Sequence, residues 1–319
     1  MRIGLSYDAA ADWAAEGLDA EQLAEFDGEE TIAAIAAHLA ARGHAVERIG
    51  RARALLARLG AGARWDIVFN ICEGLRGPGR EALVPALLEA YGIPFTFSDS
   101  LVCALTLHKG HTKRVVRDAG VPTADFRVLE SEDAPADLAL PVFVKPVAEG
   151  TGKGIGPASL CRTPAALRQA AGRLLARFAQ PVLVERFLPG REFTVGILGT
   201  GAAAQAIGVM EIASDATYGF ASKKDYAAVR YRLAGDAEAR QAGAVALAAW
   251  RVLGCRDAGR VDLRSDEAGQ PQFLEVNPLA GLHPVDSDLV ILCRLAGHDH
   301  AWLLDAIMRA AAGRAGLAW

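Results

Sequence analysis

No stretch of the chain reaches the roughly 18 consecutive apolar residues of a membrane-spanning helix, which excludes an integral helical membrane protein. The opening residues, MRIGLSYDAAADWAAEG, carry neither the basic nor the apolar region of an export signal, so a cytoplasmic location is expected. Cysteine is sparse: Cys72, Cys103, Cys161, Cys255 and Cys293 stand singly, with no Cys-x-x-Cys spacing. That pattern gives no zinc signature and fits core thiols in a reducing compartment. A dominant charge sign is missing too, because 34 basic side chains face 38 acidic ones, for a formal net charge of −4. No nucleic-acid surface is therefore expected, and the partners should be small molecules. There is no internal repeat, and no low-complexity tract beyond an abundance of alanine.

With 319 residues, 52% of them hydrophobic, the chain can fill two or three domains. Alternation and punctuation predict strands at 1–7, 45–49, 65–70 and 93–97, and helices at 31–42, 52–59 and 81–91. Strand and helix in alternation imply a parallel sheet with helices on both faces, a first unit over 1–102. Open sheets of this kind bind ligands beyond the carboxyl ends of their strands, which is where Glu30 and the loop 70–81 fall. Beyond it, helical residues 103–119 carry Lys109 and Lys113, and strands are expected at 142–145, 182–187 and 192–198. Helices are expected at 164–178, 237–253, 289–296 and 300–312. Residues 212–232, with Lys223, Lys224, Arg230 and Arg232, read as a long basic surface loop.

Two stretches carry chemistry. Residues 149–156 read Glu-Gly-Thr-Gly-Lys-Gly-Ile-Gly, and alternate glycines let a backbone turn several amides toward a phosphate, with Lys145 and Lys153 adding charge. Taken alone, the same composition also suits a surface turn. It matches neither the P-loop, lacking Gly-Lys-Ser/Thr, nor the dinucleotide fingerprint. In the second stretch, an alternating run about Asp262, a turn at 266–269 and a second run over 272–277 predict a hairpin. Asp262, Glu275 and Asn277 would share one face and offer the hard oxygen ligands that Mg2+ prefers. An exposed hairpin of solvated acids fits the same residues.

The segments YGIPFTFSDSLVCALTLHKGHTKRVVRDAGVPT, VFVKPVAEGTGKGI, VLVERFLPGREFTVGILG, YGFASKK, GRVDL and FLEVNPLAG, in that order, resemble an ATP-grasp carboxylate-amine ligase of the D-alanine:D-alanine ligase type over nearly the full length. The resemblance implies an α/β (α+β) ATP-grasp fold: an amino-terminal parallel domain (1–102), a central subdomain (103–187) and a carboxy-terminal subdomain (188–319). ATP would lie between two antiparallel sheets. Lys109, Lys145 and Lys223 resemble the phosphate lysines, and Thr151 and Gly152 the covering loop. Glu185, Arg186, Phe187 and Leu188 resemble the adenine linker, and Glu192 the ribose acid. Asp262, Glu275 and Asn277 resemble ligands of two Mg2+ ions, with Mn2+ as an alternative. Arg260 and Gly281 resemble the groups facing the oxyanion. The implied reaction is formation of an acyl phosphate followed by amine attack, on amino-acid substrates, and a homodimer is compatible with it.

Three features depart from the family pattern. Lys224 replaces the tyrosine that follows the mobile-loop lysine. Past the glycine, Asp286 and Asp288 flank Ser287 where the family receives the acceptor's carboxylate, and an acid there repels one. The segment holding the first substrate's ammonium is replaced by a longer stretch over 8–30, in which Glu30 is the candidate. A ligase for a different amino-acid or amine pair is thus one alternative; a non-catalytic ATP-binding module is another. Retention of the three metal-type residues with Lys109, Lys145 and Lys223 argues against the latter.

Overall fold

The computed structural model describes residues 1–134, 136–214 and 229–319. Lys223, Lys224 and the YGFASKK segment lie outside the described residues.

Strands β1 (Arg2–Tyr7), β2 (Ala45–Gly50) and β3 (Ile67–Ile71) form a parallel sheet in the order β2-β1-β3. Ile3 and Leu5 alternate to one face of it, where they pack with Ile32, Ile35 and Leu39 of the helix Glu29–Ala41. Leu303, Leu304, Ile307 and Met308 of the helix His300–Arg314 close the same core, so the end of the chain covers its beginning. The other face is covered by Leu55 and Leu88 of two further helices, as a βαβ pattern requires.

The strand expected at 93–97 is reduced to a single bridge between Val68 and Phe95. Pro94 has no amide hydrogen to extend the ladder. Phe97 has φ +71, and its amide donates instead to the Asp257 carboxylate at 2.8 Å. The expected helix over 103–119 is two helices, Ser100–Leu107 and Lys109–Asp118. They break at His108, whose Nδ1 accepts the His111 amide at 3.1 Å and caps the second.

Two antiparallel sheets follow. One has the order β4 (Phe126–Leu129), β7 (Val182–Arg186), β5 (Val142–Pro146), β6 (Leu160–Cys161). The other has the order β10 (Val229–Leu233), β9 (Gln205–Ser214), β8 (Glu192–Leu198), β11 (Ala258–Ser265), β12 (Pro271–Asn277). The surface loop expected over 212–232 is corrected at both ends: 212–214 complete β9, and Val229–Leu233 pairs back on it with Tyr231 opposite Ile212. Arg230 and Arg232 are therefore residues of an edge strand. The expected boundary at 102/103 falls inside the helix Ser100–Leu107. All five cysteines are buried and free, as expected of core thiols.

The face that β11 and β12 present is set by a bulge. Asp262 pairs with Glu275 but Leu263 pairs with Phe273, so Leu274 is the extra residue. Phe273, Val276, Val261 and Leu263 pack under Trp250 of the helix Ala237–Leu253. Asp262, Glu275, Arg260 and Asn277 turn to the opposite side, toward the other antiparallel sheet. Strict alternation would have put Phe273 with Glu275; the bulge separates core from cleft.

Candidate active site

A cleft between the two antiparallel sheets is lined from one side by Phe143, Lys145 and Glu185, and from the other by Glu192, Thr194, Ile212, Asp262, Arg264 and Leu274. Phe143 on β5 is opposite Glu185 on β7, so period two keeps Phe143, Lys145, Leu183 and Glu185 on one face. Glu185 takes the Lys145 ammonium at 2.8 Å and the Lys113 ammonium at 2.9 Å. Burial alone would raise its carboxyl, but the two ammonium groups hold it down to about 2. Lys145 is shifted up, since Glu185 and Glu275 outweigh its burial. Lys113 is shifted down by complete burial and by the charge of Lys145, which Glu185 does not fully offset. Lys113 was not assigned a role from sequence. Its spacing of four from Lys109 puts both on one helix face, the signal that could have found it.

Lys109 donates to the Glu149 carbonyl at 2.5 Å and lies 3.4 Å from Glu275. The glycine loop above it is built on positive φ at Thr151, Gly152 and Gly154, and the Thr151 hydroxyl is buried with no hydrogen-bond partner among the described residues. A phosphate oxygen is the kind of acceptor such a hydroxyl lacks. Lys153, expected to add charge to this loop, is committed to Glu25 at 2.8 Å and Glu149 at 3.4 Å. At the far end of the cleft Leu188 is buried, Arg186 sits at the rim 3.4 Å from Glu267, and Phe187 lies under the Arg264 guanidinium. Glu192 is held by Arg264 at 3.0 Å.

Asp262 accepts the Thr194 hydroxyl at 2.8 Å and the Asn277 amide at 3.3 Å, and it pairs with Arg260. Two carboxylates and an amide oxygen on paired strands form a hard-oxygen donor set that fits Mg2+. The cations gathered on them, Arg260 and Lys109, balance charge that a divalent ion would share. Burial works against the Arg260 charge, but Asp262, Asp288 and Glu275 more than compensate and shift it up.

Past Arg260 the cleft opens into a cavity of about 360 Å³ under the parallel sheet's domain. Gly281, His283, Asp286, Ser287 and Asp288 form one wall, and Glu25, Asp27, Thr31, Glu73 and Glu81 another. A Cβ at Gly281 would sit 2.9 Å from Ser287 Oγ, which itself accepts the His283 amide at 2.8 Å, so this turn closes tightly only on glycine. Asp288 is 3.9 Å from Arg260, and Asp286 is half-exposed, 3.7 Å from His283 Nδ1. Glu30 is exposed at the rim and reaches His283 at 3.4 Å; it does not line the cavity. Glu25 does, and sequence reasoning missed it. Its carboxylate accepts the Gly150 amide at 2.7 Å and pairs with Arg80 at 3.1 Å and Lys153. Burial raises the Glu25 carboxyl, and these cations overcome it and bring it below the usual range.

A family model described as D-ala D-ala ligase C-terminus matches residues 115–309. The D-alanine–D-alanine ligase of Bordetella pertussis is 36% identical over 260 residues, 79% of this chain and 80% of the relative. The uncharacterized protein y4sG of Sinorhizobium fredii is 35% identical over 254 residues, 76% of this chain and 73% of that one. Among solved structures, the D-alanine–D-alanine ligase of Bacillus anthracis complexed with ATP superposes with a TM-score of 0.75 over 99% of both chains. At 20% identity, that last likeness speaks to the fold.

Proposed function

The chain belongs to the D-alanine–D-alanine ligase family and is an ATP-dependent ligase of the ATP-grasp fold, and from that premise we propose that it joins two amino-acid-like substrates through an acyl phosphate, with an acceptor other than D-alanine. The observation that carries the reading is the pairing of Asp262 with Glu275, beside Arg260 and facing Lys145 and Lys109, at the junction of the cleft and the larger cavity.

In this reading the adenine end lies against Phe143, Phe187 and Leu188, near Glu185 and Arg186, and Glu192 accepts from the ribose hydroxyls. Lys109 and Lys145 fix the phosphates and offset their charge, and Thr151 and Gly152 close over them. Asp262, Glu275 and Asn277 would hold Mg2+, two ions or Mn2+ in its place, which supplies charge neutralisation on the transferring phosphoryl group. A substrate carboxylate oxygen attacks the γ-phosphorus, ADP leaves, and the acyl phosphate forms. A neutral amine then attacks the acyl carbon. Arg260 and the backbone at Gly281 face the oxyanion that develops, and phosphate leaves as it collapses. Lys223, outside the described residues, would add a cation from the loop that covers the site. No covalent enzyme nucleophile is required.

The acceptor reading rests on Asp286 and Asp288. Two carboxylates about 4 Å apart repel by an amount on the order of 4 kcal/mol at an effective dielectric near 20, before neighbouring cations act. His283 beside Asp286 and Arg260 beside Asp288 reduce that figure. The test is product analysis on amino-acid pairs: ADP and phosphate in step with an amide product are expected. AMP formed in that role would overturn the mechanism.

A further inference from the structure

The cations of the larger cavity are already committed. Arg80 serves Glu25 and the Ala148 carbonyl, and Lys153 serves Glu25 and Glu149. Lys109 serves Glu275 and the Glu149 carbonyl, Arg260 serves Asp262 and Asp288, and His283 lies between Glu30 and Asp286. Three partly buried carboxylates on the cavity wall, Asp27, Glu73 and Glu81, have no ion-pair partner among the described residues. They arrive from separate elements: Asp27 just before the helix Glu29–Ala41, Glu73 from the loop after β3, and Glu81 from the turn Arg80–Ala82.

Uncompensated carboxylates inside a cavity are costly unless a ligand completes them. Burial acts on all three: it moves Asp27 up to about 7, with Asp8 adding repulsion and the Thr31 hydroxyl and His283 opposing it only in part, and it lifts Glu81 to about 7 against the nearby charges of Arg80 and Lys109. Thr31 adds an independent observation. Its side chain is 1% exposed and lines the same cavity, and its hydroxyl, though near Asp27, has no partner at hydrogen-bonding geometry. Among the described residues no three acids, histidines or cysteines close around a point that could hold a metal ion. An extended organic cation with several N–H donors suits such a spread of acceptors better than a point charge.

We propose that Asp27, Glu73 and Glu81 bind an additional cationic group, an ammonium or guanidinium, on one of the two substrates, so that at least one substrate is a basic amino acid or a diamine. The proposal rests on the ligase reading above. Together with Glu25 and Asp286 on the same cavity, the three acids offer more carboxylates than the one α-ammonium of an ordinary amino acid would engage, which is why a further cation is inferred.

Calorimetry on the full chain with a non-hydrolysable ATP analogue and Mg2+ tests it with length-matched pairs: ornithine against norvaline, lysine against norleucine, putrescine against butylamine, each amino acid in both enantiomers. The cationic member of at least one pair should bind about tenfold tighter or better, the value of a charge-assisted hydrogen bond. That preference should collapse in Glu73→Gln with Glu81→Gln, and in Asp27→Asn should the double variant not fold. Neutral members binding as well in every pair, no cation binding, or a preference unchanged in the variants would overturn the proposal. ADP release with the same compounds separates the two claims. Cation preference without ADP release from any pair sustains this inference and sinks the ligase reading, whereas ADP release confined to neutral pairs does the reverse.

Discussion

The cleft between the antiparallel sheets and the cavity beneath the parallel domain meet at Arg260, yet they handle charge in opposite ways. In the cleft every acid sits with a cation: Glu185 with Lys113 and Lys145, Glu192 with Arg264, Asp262 with Arg260. In the cavity, the acids among the described residues outnumber the cations, and Asp27, Glu73 and Glu81 have no ion-pair partner there, with Glu81, Glu25 and Asp27 all acting to raise Glu73. A balanced site suits a ligand that arrives with its own counter-ion, as ATP with Mg2+ does in the proposed reading. An unbalanced site announces which charge is missing.

The largest expected effect tests the cleft's function. Lys145→Ala and Glu275→Gln should each lower ligation by at least about 10^2 while leaving the fold intact, since in the proposed reading each removes an oriented charge from phosphate or metal. Near-normal turnover in a purified, folded variant of either kind would refute the assignment.

Next comes the cleft's stability. Glu185→Ala leaves two buried ammonium groups facing each other, and urea unfolding should show a loss of about 3–5 kcal/mol. A change under about 1 kcal/mol would mean that the ion triad is not what holds these strands and the helix Lys109–Asp118 together. Because the folded Glu185 is depressed to about 2, its contribution is present above its ordinary value of 4.5 and is lost as pH falls from there toward 2.

The cavity should respond to pH with the opposite sign. Asp27 is raised from 3.8 to about 7, so the native state holds the proton longer than the unfolded chain does, and stability falls as pH rises between those values. Asp27→Asn removes that loss and should stabilise the chain at pH 8 by up to about 4 kcal/mol, with little change at pH 4. Thermal unfolding at the two pH values checks it, and equal shifts at both would contradict the contrast between the regions.

The smallest effect concerns the half-exposed Asp286. Its charge is screened by solvent and by His283, so Asp286→Ser should improve kcat/KM for D-alanine as acceptor only by about threefold. No improvement, or a decline, would place the acceptor elsewhere.

How far the sequence could be read follows the same division. The cleft's residues lie on regular strands whose alternation is visible, so the strands of Lys145 and Asp262 were legible from pattern, while Glu185 and Glu192 were singled out by the family resemblance. The β12 bulge was not visible, because nothing in Phe273-Leu274-Glu275 marks the extra residue, although the shared face of Glu275 and Asn277 survived it. Strand β9 was missed because its alanines and glycines blur the alternation, and Pro94 undid a strand that the hydrophobic pattern favoured. The cavity's acids sit in loops and 3-10 turns over 22–27 and 73–81, where no periodicity tells which side chain points inward. Glu30 was the candidate for that reason, while Glu25, five residues earlier, is the one that faces the cavity and ties it to the glycine loop.

The most direct test of the whole account is steady-state ADP release by the wild-type chain with ATP and Mg2+, comparing D-alanine alone with panels of amino-acid and amine acceptors. The account predicts ADP and phosphate with no AMP, and D-alanine well below the best acceptor in kcat/KM. Efficient D-alanyl-D-alanine synthesis, with D-alanine the best acceptor tested, would contradict it.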